Sequence, residues 1–209
     1  MKQCKLIVTG LAIFLLASQA MAQSGNVNTI FKNDIRRSGG YGAATNSFTT
    51  IRGKYANMVG LYGGWFINQK VMLGLAMSAT TNNLRVPAAL AVDPGSNQTW
   101  QYGQFGIMTE YVLGSNKPVH LVFQLMSGAG FTLQYPRYGF HDRDYDDIHD
   151  ENWFVVAEPG VQLEMNLFKW MRLSPGVSYR ATFGSDGIGM KDKDLRAASY
   201  NITMKFGRF

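Results

Sequence analysis

The amino-acid sequence predicts an all-β chain, an eight-stranded antiparallel up-and-down transmembrane β-barrel behind an export signal. Three observations lead there. Apolar and polar residues alternate with a period of two through most of the chain, the links between the alternating runs are short and long by turns, and no cysteine survives export to staple the fold.

At the amino end, Lys2 and Lys5 precede an apolar run from Leu6 to Ala17, and Ala20-Met21-Ala22 offers small residues for cleavage. Residues 1–22 therefore read as a secretory signal peptide and residues 23–209 as one barrel domain. The apolar run is too short for a helical span, which needs roughly 20 residues. Cys4 precedes the run, so it is no lipid-attachment site and leaves with the signal. Loss of Lys2 and Lys5 lowers the formal charge from +6 to +4. With no basic cluster, nucleic acid is not an expected partner, whereas a mildly positive rim suits anionic lipid headgroups.

The strands follow in order. The first, around "GYGAATNSFTTI", is inferred mainly by count, and the second, "YANMVGLYGGWFI", is apolar on both faces. In "VMLGLAMSATT", Val71, Leu73, Leu75 and Met77 oppose Gly74, Ala76, Ser78 and Thr80. "TWQYGQFGIMTEYVL" sets Phe105, Ile107, Tyr111 and Leu113 against Gln104 and Glu110, and places Trp100 on the inward face. "VHLVFQLMSGAGFTL" alternates Leu121, Phe123 and Leu125 with His120 and Gln124, blurred by Val122 and Met126. The sixth is the clearest: Trp153, Val155, Ala157, Val161, Leu163 and Met165 against Glu158, Gly160, Gln162, Glu164 and Asn166. "MRLSPGVSYRATF" sets Leu173, Val177 and Tyr179 against Arg172, Ser174 and Arg180. The last, "RAASYNITMKFGRF", alternates through Ala198, Tyr200, Ile202, Met204 and Phe206 and stops on Phe209.

Strands 2 and 3, 4 and 5, and 6 and 7 are joined by short turns, while residues 82–98, 136–152 and 184–195 form long polar loops; only the link near Arg52-Gly53-Lys54 is short where a long one is expected. That asymmetry is the pattern of outer-membrane barrels. Trp65, Trp100, Trp153 and Trp170 all fall near strand ends, as interfacial aromatic girdles would. A soluble exported barrel that carries a ligand has the same period with its apolar face inward. The polar face decides between them: it is mostly Gly, Ser, Thr, Gln and Asn, which suits a narrow packed lumen better than a water-facing exterior rich in Lys and Glu.

Charges in such a lumen need partners. A hairpin of strands 6 and 7 predicts two ion pairs, Glu158 with Arg180 and Glu164 with Arg172. Pro159 and Pro175, each in a repeated Pro-Gly-Val, remove ladder donors, and bulges are expected there.

The stretches "GGYGAATNSFTTIRGKYANMVGLYGGWFIN", "WFVVAEPGVQLEMNLFKWMRLSPGVSYR" and "MKFGRF" resemble the small outer-membrane β-barrel proteins common in Bacteroidetes, a porin-like, OmpX-like group. The resemblance spans most of the mature chain and rests on ordered Gly-Gly-Trp, Glu-Pro-Gly and Gly-Val-Ser-Tyr-Arg landmarks. It implies a barrel in the bacterial outer membrane and no assigned chemistry.

An eight-stranded lumen is about filled by side chains, so a diffusive pore is not expected. A lipid-modifying or proteolytic enzyme would need a nucleophile, a base and an orienting acid in reach of lipid or rim. His120 stands on the lumen face and reads as a hydrogen-bonded interior residue, and no His-x-Ser pairing marks a deacylase. The densest chemistry is "HDRDYDDIHDEN", where His141, Asp142, Asp144, Asp146, Asp147 and His149 could ligate a divalent cation or bridge lipopolysaccharide through one. Its spacing lacks the turn glycine of an EF-hand, and charge runs are usually solvated loops. The expectation is a non-enzymatic, monomeric outer-membrane barrel without a resident cofactor, structural or surface-binding through its loops. Its partners are outer-membrane lipids, lipopolysaccharide and the assembly machinery. A terminal aromatic resembles the signal that this machinery reads, which assigns that role to Phe209. The apolar set, however, runs one residue out of phase with Phe209, so either a bulge at Phe206-Gly207 re-aims the ring or it turns inward.

Overall fold

The computed structural model describes residues 38–93, 95, 97–136 and 149–209; the expected signal peptide, residues 1–22, lies outside them. Among the described residues eleven strands run in chain order: β1 (Ser38–Ile51), β2 (Lys54–Ile67), β3 (Val71–Thr80), β4 (Leu84–Arg85), β5 (Gln98–Leu113), β6 (Val119–Pro136), β7 (His149–Phe168), β8 (Met171–Phe183), β9 (Asp186–Gly187), β10 (Met190–Lys191) and β11 (Ala197–Arg208). Helix α1 (Asp192–Leu195) is a single turn.

Eight of these strands are long, and each pairs antiparallel with its neighbours around the sheet. β3 pairs with β5, and β11 pairs with both β8 and β1, so the sheet closes on itself with no edge. The three remaining short strands belong to loops: β4 adds to β5, and β9 pairs with β10 in the loop before β11.

Alternation explains which residues face where. In β11 the odd positions from Ala197 to Lys205 are buried and the even ones exposed. Outward faces carry Leu61, Leu73, Leu75, Met77, Phe105, Ile107, Phe123, Val155, Leu163, Val177, Tyr179 and Ile202, all largely exposed, while the interior holds Gln104, Glu110, Glu164, Arg172, Arg180 and Lys205. A soluble barrel could not keep such an exterior in water. This inversion, greasy outside and polar inside, is the transmembrane arrangement, and it removes the soluble ligand-carrier alternative.

The second strand, ambiguous by sequence, resolves for a physical reason. Ala56, Met58, Tyr62 and Phe66 point inward and Val59, Leu61 and Trp65 outward, because both ends of the lumen are themselves apolar. The turn between β1 and β2 stays short, its two residues Arg52 and Gly53 both in the left-handed region at φ 52° and 69°, as a tight hairpin requires.

Two expectations need correction. Trp65, Trp153 and Trp170 are exposed at the strand ends, but Trp100 is only 2% exposed and does not belong to a girdle; it packs under the loops instead. No register shift occurs at Pro159 or Pro175. Ala157 opposite Ala181, Gln162 opposite Gly176 and Met165 opposite Leu173 keep one register across both prolines. Within that register the pairing lapses at 158–159 and 163–164, next to the positions where the two absent N–H donors would have bonded. Both prolines aim at the same β7–β8 seam, and their other neighbours, Leu125 and Ile202, stay paired. The shifts on β7 lie elsewhere, between Thr132 and Gln134 on its β6 side and between Asn166 and Phe168 on its β8 side.

Candidate functional site

The lumen is built in three storeys. At the end that carries the short turns, β5 contributes Glu110, β6 His120, β7 Glu164, β8 Arg172 and β11 Lys205, every one on the inward phase of its strand. Lys205 Nζ lies 2.8 Å from Glu110 Oε2 and 2.6 Å from Glu164 Oε2, bridging the two carboxylates. Arg172 Nη1 donates to Glu164 Oε1 at 2.5 Å, and His120 Nε2 stands 2.8 Å from the same oxygen. The His120 Nδ1 atom faces the Lys117 carbonyl at 3.1 Å. Tyr62 donates to Glu110 Oε1 at 2.7 Å, Tyr41 donates to Glu110 Oε2, and Ser174 donates to Glu164 Oε2 at 3.2 Å. Two acids and two strong bases thus balance within one hydrogen-bonded network, the condition for burying charge at tolerable cost.

Beneath the network lies an aromatic floor. Phe209 packs on Tyr41 at 5.1 Å and Phe66 at 6.4 Å between ring centroids, and the Arg172 guanidinium sits 3.8 Å from the Phe209 ring centroid. The β1–β11 register is constant from Phe48–Tyr200 to Gly40–Arg208, so no bulge re-aims the ring. Phe209 continues the inward phase of β11 and closes the floor.

At the opposite end Ile51, Met58, Leu84, Val86, Trp100, Tyr102, Met190 and Leu195 form a buried apolar cap. Loops fold inward to make it. The Arg52 amide donates to the Asp194 carbonyl at 2.6 Å, and Arg52 Nη1 donates to the Gly189 carbonyl at 2.8 Å. Arg180 joins this end: its Nε donates to Leu195 O at 2.8 Å, Nη2 to Thr50 O at 2.9 Å, and its guanidinium stands 4.7 Å from the Tyr102 ring centroid.

The pairs expected from the hairpin divide accordingly. Glu164 and Arg172 are brought together. Glu158 and Arg180 are not, although the register sets them opposite one another. Arg180 is drawn toward α1, and Glu158 leans the other way, accepting from Gln104 Nε2 at 2.7 Å and Ser178 Oγ at 2.6 Å. Sequence reasoning did not assign Glu110 or Lys205 to the network. The signal was present in their place on the polar phase of alternating strands, but they are 95 residues apart and only closure of the barrel joins them.

The acidic-loop candidates His141, Asp142, Asp144, Asp146 and Asp147 lie outside the described residues, as does the side chain of His149. Among the described residues no group of three or more His, Cys, Asp or Glu side chains is arranged to hold a metal ion.

No family model matches the sequence, and no curated protein is similar to it. Solved structures do match. Neisserial surface protein A (NspA) aligns at 12% identity over 81% of this chain and 96% of that one with a TM-score of 0.51. A major outer membrane protein from Thermus thermophilus aligns at 8% identity over 82% and 100%, with a TM-score of 0.52. At this identity the likeness is one of fold, and with the lipid-facing belt it makes the chain an eight-stranded β-barrel of the bacterial outer membrane.

Proposed function

We propose that the protein is a non-enzymatic outer-membrane barrel that acts at the cell surface through the long connections of one rim, its barrel serving as a rigid, plugged support. The observation that carries this reading is the three-storey lumen. A lumen closed at one end by paired charges over an aromatic floor and at the other by an apolar cap is spent on stability and leaves the rim as the place for recognition of large partners. The segment 141–151, dense in carboxylates and imidazoles, would then meet divalent cations or lipopolysaccharide outside the barrel. The sequence resemblance supports a Bacteroidetes source.

The test is complementation of a strain that lacks the protein, scored by sensitivity to detergent and to large antibiotics. One variant shortens residues 137–148 to a tight turn, which leaves the apolar cap intact; another neutralises 141–151. Both should reach the outer membrane and migrate in a heat-modifiable way, and neither should restore the wild-type phenotype. Full rescue by the shortened barrel would make the role purely structural. A change in lipid A that disappears with alanine at His120, His141 and His149 would overturn the non-enzymatic reading.

A further inference from the structure

We propose that the middle storey of the lumen is a binding site for a hard cation held by oxygen ligands, with sodium or potassium matching its single carboxylate. The site is a cavity of about 50 Å³ between the charged network and the apolar cap, bordered by Glu158, Gln162, Asn201, Gln104 and Gln124. That volume accommodates a small ion with two or three waters, at about 10–15 Å³ for each occupant.

Three observations make it a cation site rather than a void. First, Gln162 Oε1 and Asn201 Oδ1 are buried acceptors that meet no donor among the described residues, on side chains whose residues are 1% and 5% exposed. Gln162 already commits its amide nitrogen to Gln124 Oε1 at 2.6 Å, so its oxygen is left for another partner. Second, Glu158 brings a carboxylate to the same cavity and, among the described residues, receives only the neutral donors Gln104 and Ser178. The cation opposite it in register, Arg180, is held by carbonyls and a ring at the cap, while Lys205 and Arg172 bond Glu110 and Glu164. Water could satisfy the amide oxygens, but the half-buried Glu158 carboxylate would keep its charge without a cationic partner among the described residues. Third, glycine lets these side chains pack closely into place. A Cβ on Gly160 would lie 2.9 Å from Gln124 Nε2 and from Ser178 Cβ, and one on Gly176 would lie 2.8 Å from Gln162 Cγ and 2.9 Å from Asn201 Oδ1.

The repeated Pro-Gly-Val of β7 and β8 thereby gains a reason. Each proline faces away from the lumen, and the glycine beside it lets Gln124, Gln162 and Asn201 approach the strand without a Cβ in the way. Ligation by one carboxylate, amide oxygens and the nearby Thr45 and Thr203 hydroxyls, on a wall that also carries the Met58, Met108 and Met126 thioethers but no imidazole or thiolate, favours a hard ion over zinc. One negative charge matches one positive charge.

The experiment uses the full mature chain refolded in detergent micelles at constant ionic strength, with choline chloride exchanged for NaCl, KCl or CaCl2. Thermal unfolding and sodium-23 line broadening are the readouts. The expected result is a saturable rise in unfolding temperature with sodium or potassium and sodium exchange broadening that competes with potassium. Glu158→Gln should weaken apparent affinity about tenfold or more, the loss expected when a charged ligand becomes neutral. Gly176→Ala should do the same by crowding Gln162 and Asn201, while heat-modifiable migration shows that both variants fold. Unfolding that is identical in choline and sodium chloride would overturn the proposal. So would a sodium response untouched by Glu158→Gln, or tighter binding of calcium than of either alkali ion. A protonated Glu158 carbonyl band in the infrared spectrum, abolished by Glu158→Gln and insensitive to sodium, would overturn it as well.

Discussion

Removing the Lys205 ammonium would leave Glu110 and Glu164 sharing the lower lumen without the group that bridges them at 2.8 Å and 2.6 Å. Arg172 and His120 remain for Glu164, but Glu110 would keep only the two tyrosine hydroxyls among the described residues. Lys205→Met should therefore cost about 3–5 kcal/mol, the range for breaking a buried ion pair from one side. Urea unfolding of the refolded barrel measures it. Adding Glu110→Gln removes the stranded charge, so the double variant should recover most of the loss; additive destabilisation would show that the two groups are not coupled. Phe209 belongs to the same neighbourhood and separates packing from assembly. If the machinery reads its ring, deleting Phe209 should reduce the barrel in cell membranes far more than it slows refolding of purified chain into detergent. Equal effects on the two would leave only the contacts with Tyr41, Phe66 and Arg172.

At the scale of elements, the β7–β8 seam is a ladder interrupted by two prolines. It lacks donors at Pro159 and Pro175, and the register survives because β6 and β11 hold these strands from their other sides. Pro159→Val returns an N–H opposite Tyr179 without touching the lumen. The variant should gain up to about 1 kcal/mol, the net worth of one hydrogen bond. Its new amide should resist hydrogen exchange like its neighbours, and rapid exchange at 159 would show that the seam is open for another reason. The strand ends allow a second check, made with single-tryptophan variants in lipid. Brominated acyl chains should quench Trp65, Trp153 and Trp170, which are exposed, and spare Trp100, which lies beneath the cap with Arg52 5.5 Å from its ring centroid.

For the whole molecule the decisive property is the sign of its amphipathicity. Leu75, in the middle of β3, is 71% exposed, which for a soluble protein would make it a tolerant position. In a bilayer it faces acyl chains, so Leu75→Arg should cost about 2–4 kcal/mol when unfolding is measured from lipid vesicles. A neutral result would contradict the membrane belt. Closure adds to this belt. With β1 bonded to β11 and β3 to β5, every long strand has two neighbours and no backbone donor of an edge meets lipid.

Much of this architecture was legible in sequence because it depends on local rules. A period of two assigns strands and faces, and Gly53 and Asn68-Gln69 mark turns where the backbone enters the left-handed region. The near partners Glu164 and Arg172, eight residues apart and diagonal across a short hairpin, could be read from the polar phase of the two strands. Contacts made only by closure could not. Glu110 with Lys205, Phe209 with Phe66, Arg180 with α1, and the cavity between Gln162 and Asn201 join distant segments, and a side chain with several inward neighbours chooses among them by packing and charge rather than by register. Thus the sequence by itself determined the eight strands and, wherever alternation is clean, their two faces, since these follow from period and turn chemistry; which face of the apolar β2 points inward, and that the greasy face of the closed barrel is the outer one, the structure decided. Only the tertiary structure decided which inward charges meet, because eight strands must close before the lumen in which they compete exists.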